Sequence, residues 1–188
     1  MSRKLVETTK EFLGNRDWGA SIPATLKLKQ RMKVEDPTNR FIGSFNVELD
    51  EYQITASLRH FSNRLNRRWF GNNWRRYNRR IEFVSAKEGY SSNNTRGYTR
   101  KHIHLRFKLP FATPQTFDEL REFEARKLQF VKLIRDCWAK IDWAYGSYVG
   151  FHADDGWSDY LAKSETKEHY DQSVPWDFIS LPSKASQN

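Results

Sequence analysis

Apolar positions along this chain recur with two periods, and the switches between them predict the order of elements. Residues 22–29 alternate apolar and cationic or small side chains, as a strand with one wet face requires. A turn follows at Asp36-Pro37-Thr38-Asn39, and residues 41–49 read as a second strand. From Glu51 the period changes. Ile54, Leu58, Phe61 and Leu65 fall at helical spacing, and Gly71-Asn72-Asn73 stops the helix. Residues 81–86 return to strand character. The Gly-, Ser- and Asn-rich run 89–97 is a long hairpin tip, and its return strand ends near Pro110. Thr116 is placed to cap a long helix carrying Phe117, Leu120, Phe123, Leu128, Val131, Ile134 and Trp138. Residues 144–152 read as a further strand, Asp154-Asp155-Gly156 as a turn and 157–167 as a short helix.

This order predicts an α+β fold. A central antiparallel sheet of about five strands is covered by helices in a ferredoxin-like arrangement. The division expected is an N-terminal arm at 1–21, one domain at 22–170 and a tail at 171–188. Trp176, Phe178 and Leu181 are able to dock that tail.

The return strand carries the chemistry. In Lys101-His102-Ile103-His104-Leu105-Arg106-Phe107 the two histidines alternate with apolar residues, so both imidazoles project from one face, one pleat apart. Such a pair can hold a divalent metal if an oxygen ligand joins it. With the hairpin midpoint near Thr95, Glu88 falls opposite His102 on the same face. Glu82 has the same parity but pairs nearer Lys108. Glu88 is therefore the preferred third ligand, with Glu82 open until the register is known. Two imidazoles and a carboxylate suit Mn2+ or Mg2+, with zinc a further candidate. The competing reading is a solvated sheet face with a chance glutamate. His60, His152 and His169 stand apart in sequence, although His152, on the neighbouring strand, is able to approach the site.

Composition adds a partner. The formal net charge is +9. Between residues 52 and 81 there are eight arginines and no acid. Segregation of that kind points to a phosphate-rich polymer. Arg64, Arg67, Arg68, Arg75 and Arg76 are candidates to track a nucleic-acid backbone, with Trp69, Trp74 and Tyr77 candidates to stack on unpaired bases or to serve as core or cap residues. A membrane surface fits less well, because no long apolar stripe accompanies the charge. Cys137 stands alone, which excludes an internal disulfide and reads as a small buried residue. With no signal-like or membrane-spanning run, the expected location is cytoplasmic.

Tyr160 and Lys163 share a helix face three residues apart. A phenol with a pKa near 10 is only about 0.1% ionised at neutral pH, so forming the phenolate costs about 4 kcal/mol. A neighbouring ammonium or metal lowers that cost. By itself the pair is equally an ordinary amphipathic spacing.

Taken together, His102-Ile103-His104, Tyr160-Leu161-Ala162-Lys163, Ala86-Lys87-Glu88-Gly89 and the strand Ala24-Thr25-Leu26-Lys27-Leu28 resemble the HUH endonuclease superfamily. The likeness is closest to the rolling-circle replication initiators of phages and plasmids. It spans residues 22–170 and implies a ferredoxin-like or RRM-like sheet with the histidines on a central strand. It also implies strand-specific nicking of single-stranded or melted origin DNA in a bacterial cytoplasm. Tyr160 would become linked to the 5′ phosphate, Lys163 would assist by charge, and a metal at His102, His104 and Glu88 would position the phosphate. Position 156 is glycine and position 164 is serine, so the resemblance is to enzymes with one tyrosine. No G-x-x-x-x-G-K motif is present, so helicase and polymerase would be separate host proteins. Two alternatives stay open. One is a single-tyrosine transposase or relaxase using the same chemistry. The other is a non-catalytic single-stranded nucleic-acid-binding module.

Overall fold

The computed structural model describes residues 7–8, 11, 15–35, 43–89, 100–153 and 156–161. Its core is a four-stranded antiparallel sheet built from β1 (Ser21–Leu28), β4 (Phe83–Glu88), β5 (His102–Lys108) and β6 (Ala144–Val149). The strands lie in the order β4-β5-β1-β6. Two long helices, α1 (Glu51–Phe70) and α2 (Phe117–Trp138), connect them. This is the strand order of a ferredoxin-like sheet. The histidine strand β5 is internal, hydrogen-bonded to β1 on one side and β4 on the other.

One strand of the expected five is missing from this sheet. Residues within 41–49 instead form β3 (Ser44–Glu48), which pairs with β2 (Arg31–Glu35) as a separate hairpin. The reason is in the side chains. Met32 and Val47, opposite each other, are half-buried against the core. Arg31, Lys33, Asn46 and Glu48 face water, so the hairpin can lie along the edge of the core but cannot be sandwiched within it.

Both helices begin with a capping box. The Asp50 side chain accepts from the Gln53 amide while the Gln53 side chain accepts from the Asp50 amide. Thr116 and Glu119 do the same for α2. The helices bury Ile54, Leu58, Phe61, Leu65, Phe130 and Ile134 against Ile22, Leu26, Ile103, Leu105 and Phe107. Phe61 meets both Phe107 and Trp138 edge-on, at 6.3 and 5.7 Å between ring centroids. The Trp138 indole donates to the carbonyls of Lys27 and Gly146, where β1 and β6 lose register.

A second, smaller cluster lies on the opposite face of the sheet. Trp18, Val84, Ala86 and Leu161 are buried there, with Trp157 packed against them. The short helix α3 (Gly156–Leu161) reaches this face, and Trp18 with Arg16 docks the segment before β1 onto the body. Among the described residues no helix is long and apolar enough to cross a membrane.

Candidate metal centre

Strand parity sorts β5 cleanly. Ile103, Leu105 and Phe107 point into the helical core, while His102, His104 and Arg106 point to the other face. The register of the hairpin is the one that aligns Glu88 with His102 and Ala86 with His104. Glu82 lies at the far end of β4, where its carbonyl accepts from the Lys108 amide and its carboxylate pairs with Arg16 at 2.8 Å. It is thereby removed from the histidines.

Three ligand atoms converge. His102 Nε2 and His104 Nε2 are 2.8 Å apart. Glu88 Oε2 lies 3.1 Å from His104 Nε2 and 3.3 Å from His102 Nε2. Ligands about 2.1 Å from a divalent ion sit about 3.0 Å apart at right angles and about 3.4 Å apart at the tetrahedral angle. The observed separations are close to that window. Glu88 and His104 are each less than a tenth exposed, so their polar atoms need partners within the protein or a shared cation.

The tautomers sharpen this. His102 Nδ1 lies 2.7 Å from the Arg100 carbonyl oxygen. A carbonyl only accepts, so Nδ1 carries a proton, and in the neutral ring Nε2 then offers a lone pair. His104 Nδ1 lies 3.0 Å from Thr25 Oγ1, a partner that can accept from it in the same way. In the neutral tautomers two imidazole lone pairs and a carboxylate face one point, an arrangement that a divalent cation or a shared proton satisfies. Holding the outer nitrogen of a ligating histidine by a carbonyl or hydroxyl is the usual support of a metal site. The donor set thus fits a divalent cation. Burial pushes the His102 pKa down, but the hydrogen bonds to Glu88 and the Arg100 carbonyl and the charge of Glu88 outweigh it, so it stands above its ordinary value.

Gly89 makes this geometry possible. Its φ is +100°, and a Cβ there would lie 2.6 Å from the Arg100 carbonyl oxygen, the group that orients His102. Only glycine permits that approach.

The Trp157 indole donates to the Leu105 carbonyl at 3.1 Å, and its ring lies 5.7 Å from the His104 ring. Leu161 is buried against Val84 and Ala86. The α3 backbone that includes position 160 therefore packs over the face carrying the imidazoles. The Tyr160 side chain lies outside the described residues, as do Lys163 and His169. Beside His102 opens a cleft of about 300 Å3 lined by Thr25, Lys27, Arg100 and Tyr145, among others. Tyr145 and Tyr148 are both 65% exposed. His152 is exposed and joins no metal-ligating group among the described residues.

The basic segment occupies the other layer. Arg64, Arg67, Arg68, Arg75 and Arg76 are all exposed on or just after α1. Of the two tryptophans expected either to stack on bases or to serve as core or cap residues, Trp74 falls to the core. Trp74 is 6% exposed, with the guanidinium groups of Arg75 and Arg80 over its ring. Trp69 is half-buried against Phe111 and Phe130. Each large ring gains more from the core than it would from solvent. Tyr77, 58% exposed, is the ring of this segment that faces outward.

Thr25, the Arg100 carbonyl, Lys27 and Trp157 belong to the site but were not singled out from sequence for these roles. Thr25 and Lys27 had the right parity on β1. What was missing was the pairing that sets Thr25 beside His104 and Lys27 beside His102. Compared with known proteins, the chain matches no family model, no curated protein and no solved structure.

Proposed function

We propose that this protein is a metal-dependent, strand-specific DNA nicking and joining enzyme of the rolling-circle initiation type, working through a covalent link to Tyr160. The observation that carries this reading is the convergence of His102 Nε2, His104 Nε2 and Glu88 Oε2 on an internal strand, beneath a helix that includes position 160. A divalent ion held there, Mn2+ or Mg2+, would draw charge from the non-bridging oxygens of a phosphate and favour attack on phosphorus. Thr25 and the Arg100 carbonyl keep the imidazole lone pairs turned toward that ion. Trp157 excludes water from the His104 side. Lys27, and Lys163 three residues after the nucleophile in sequence, would supply positive charge near the phosphate and the phenolate. In the step proposed, the Tyr160 phenol releases its proton to solvent, its oxygen forms a bond to phosphorus, the bond to the 3′ oxygen breaks, and that oxygen takes a proton from solvent and leaves as a hydroxyl. The aryl ester keeps the bond energy, so a 3′ hydroxyl can later reverse the step.

The test is incubation of the purified chain with single-stranded DNA and Mn2+, followed by intact-protein mass spectrometry. A nucleotide adduct mapping to Tyr160 is expected, absent with chelator. Tyr160→Phe should lower nicking by about four orders of magnitude or more while DNA binding persists. DNA binding without adduct or metal dependence would favour a single-strand-binding module instead. That second reading draws support from the exposed Tyr145 and Tyr148 on β6.

A further inference from the structure

One cationic concavity among the described residues lies away from the metal centre. It lies on the helical layer, with the core and the whole sheet between it and Glu88, His102 and His104. Its volume is about 470 Å3, and it is lined by His60, Asn63, Arg64, Arg67, Asn72 and Arg75 around the edge of Trp74. His60, Asn63, Arg64 and Arg67 are presented by successive turns of α1, and Asn72 and Arg75 close the far wall. Arg67 Nε donates to Asn72 Oδ1 at 3.2 Å, which fixes one guanidinium at the rim. Among the described residues no carboxylate lines the cavity or pairs with any of its arginines. Three like charges are thus held around one hollow without internal neutralisation. Solvent screens their mutual repulsion in part, and an anion bound between them would relieve it further.

The chemistry of the lining says which anion. Single-strand sites combine cations with rings on which bases stack. Here Trp74 is buried, and what remains to make contacts is guanidinium, carboxamide and imidazole, hydrogen-bonding groups that suit phosphate oxygens better than they make a stacking platform. Among the described residues no exposed tyrosine or tryptophan lines the cavity, Tyr77 and Tyr52 standing outside its lining, whereas Tyr145 lines the cleft beside His102 and Tyr148 stands on the same strand. We infer that the α1 cavity grips the phosphodiester backbone of duplex DNA, while unpaired DNA belongs to the opposite face. The two sites would straddle a junction between paired and melted DNA. This inference rests on the nucleic-acid part of the function proposed above and is independent of the nicking step.

The test is binding in chelator, with no chemistry possible, measured by fluorescence anisotropy across a salt series. The two probes are a blunt DNA duplex and an oligothymidine strand. Arg64→Ala/Arg67→Ala/Arg75→Ala should weaken duplex binding by about tenfold or more and flatten the log–log salt dependence by about 2 to 3, near 0.9 for each phosphate that is no longer neutralised. Binding of the single strand should change by less than about twofold. Because all three arginines are exposed, the fold should survive; Arg64→Lys/Arg67→Lys/Arg75→Lys keeps the charge and should keep the slope. Unchanged duplex binding in the alanine variant, or an equal loss for both probes, overturns the inference. A duplex effect with no Tyr160 adduct would leave this site standing and remove only the nicking reading.

Discussion

The two faces of the sheet are built from the same strands and obey opposite rules. On the helical face, Ile103, Leu105 and Phe107 are fully buried among other apolar side chains, and nothing ionisable from β5 intrudes. On the other face, His104, Arg106 and Glu88 are nearly as buried, yet all three are polar or charged. The first face is held by area and shape. The second joins a small apolar cluster around Trp18 and Leu161 to buried pairs: Glu88 with the imidazoles, and Arg106 with Ser21 Oγ and the Trp18 ring. A strand that spends alternate positions on buried polar groups gives up packing to do so, which marks that face as the one under functional demand.

The largest expected effect breaks the helical face. Phe107 contacts Phe61, Phe83 and Phe130. Phe107→Ala should cost about 3–5 kcal/mol, a fall in melting temperature of about 6–20 °C. Three residues earlier on the same strand, His104→Ala should leave the metal-free melting temperature within a few degrees and lose the metal response. Equal destabilisation by both would show that the second face is core like the first.

Metal itself should act on one face alone. At a hundredfold excess over its dissociation constant, Mn2+ should add about 2.7 kcal/mol and raise the melting temperature by about 5–11 °C, reversed by chelator. His104→Ala and Glu88→Gln should abolish the shift, and Glu82→Gln should keep it. Identical melting curves with Mn2+ and with chelator would mean that a proton alone bridges these ligands.

Much of this contrast is legible in the residue pattern itself. Period-2 alternation around His102 and His104 is a local signal, and so is the helical spacing of Ile54, Leu58, Phe61 and Leu65. Glu88 was reachable because a hairpin constrains its own register. Thr25 was not, because the pairing of β1 with β5 links positions 79 residues apart, and no local pattern encodes it. The β2–β3 hairpin was half-missed for a related reason: Arg31–Glu35 has only two apolar residues, too few to separate a strand from a loop. Trp69 and Trp74 were ambiguous because aromatic residues among arginines look alike in sequence whether they stack on a ligand or cap a core.

Thr25 offers a finer test of the polar face. Thr25→Val keeps the shape of the side chain and removes the partner of His104 Nδ1. Metal affinity should fall about 10- to 100-fold by titration calorimetry, with little change in metal-free stability. Gly89→Ala should do the same through the Arg100 carbonyl and His102. Unchanged affinity in both variants would mean that the imidazoles hold their orientation without these supports.

The helical face also contains an ionisable group, and its behaviour should be the reverse. Cys137 is 2% exposed, and burial pushes its thiol up to about 11, with Arg68 and Arg64 pulling weakly the other way. On the opposite face charge is held by partners; here it is refused. The thiol of the unfolded chain ionises near its ordinary value of 9.0, so above that pH the unfolded state sheds a proton that the folded state keeps. Stability from this group is therefore complete below pH 9 and declines as pH rises toward 11. By pH 10 the loss should be about 1 kcal/mol relative to Cys137→Ala, in which the slope disappears and other alkaline titrations cancel. In the native state the thiol should resist iodoacetamide at pH 8 and react only on unfolding. Rapid alkylation of the folded chain would show that α2 opens to solvent on its own, and that the apolar face is less closed than its packing implies.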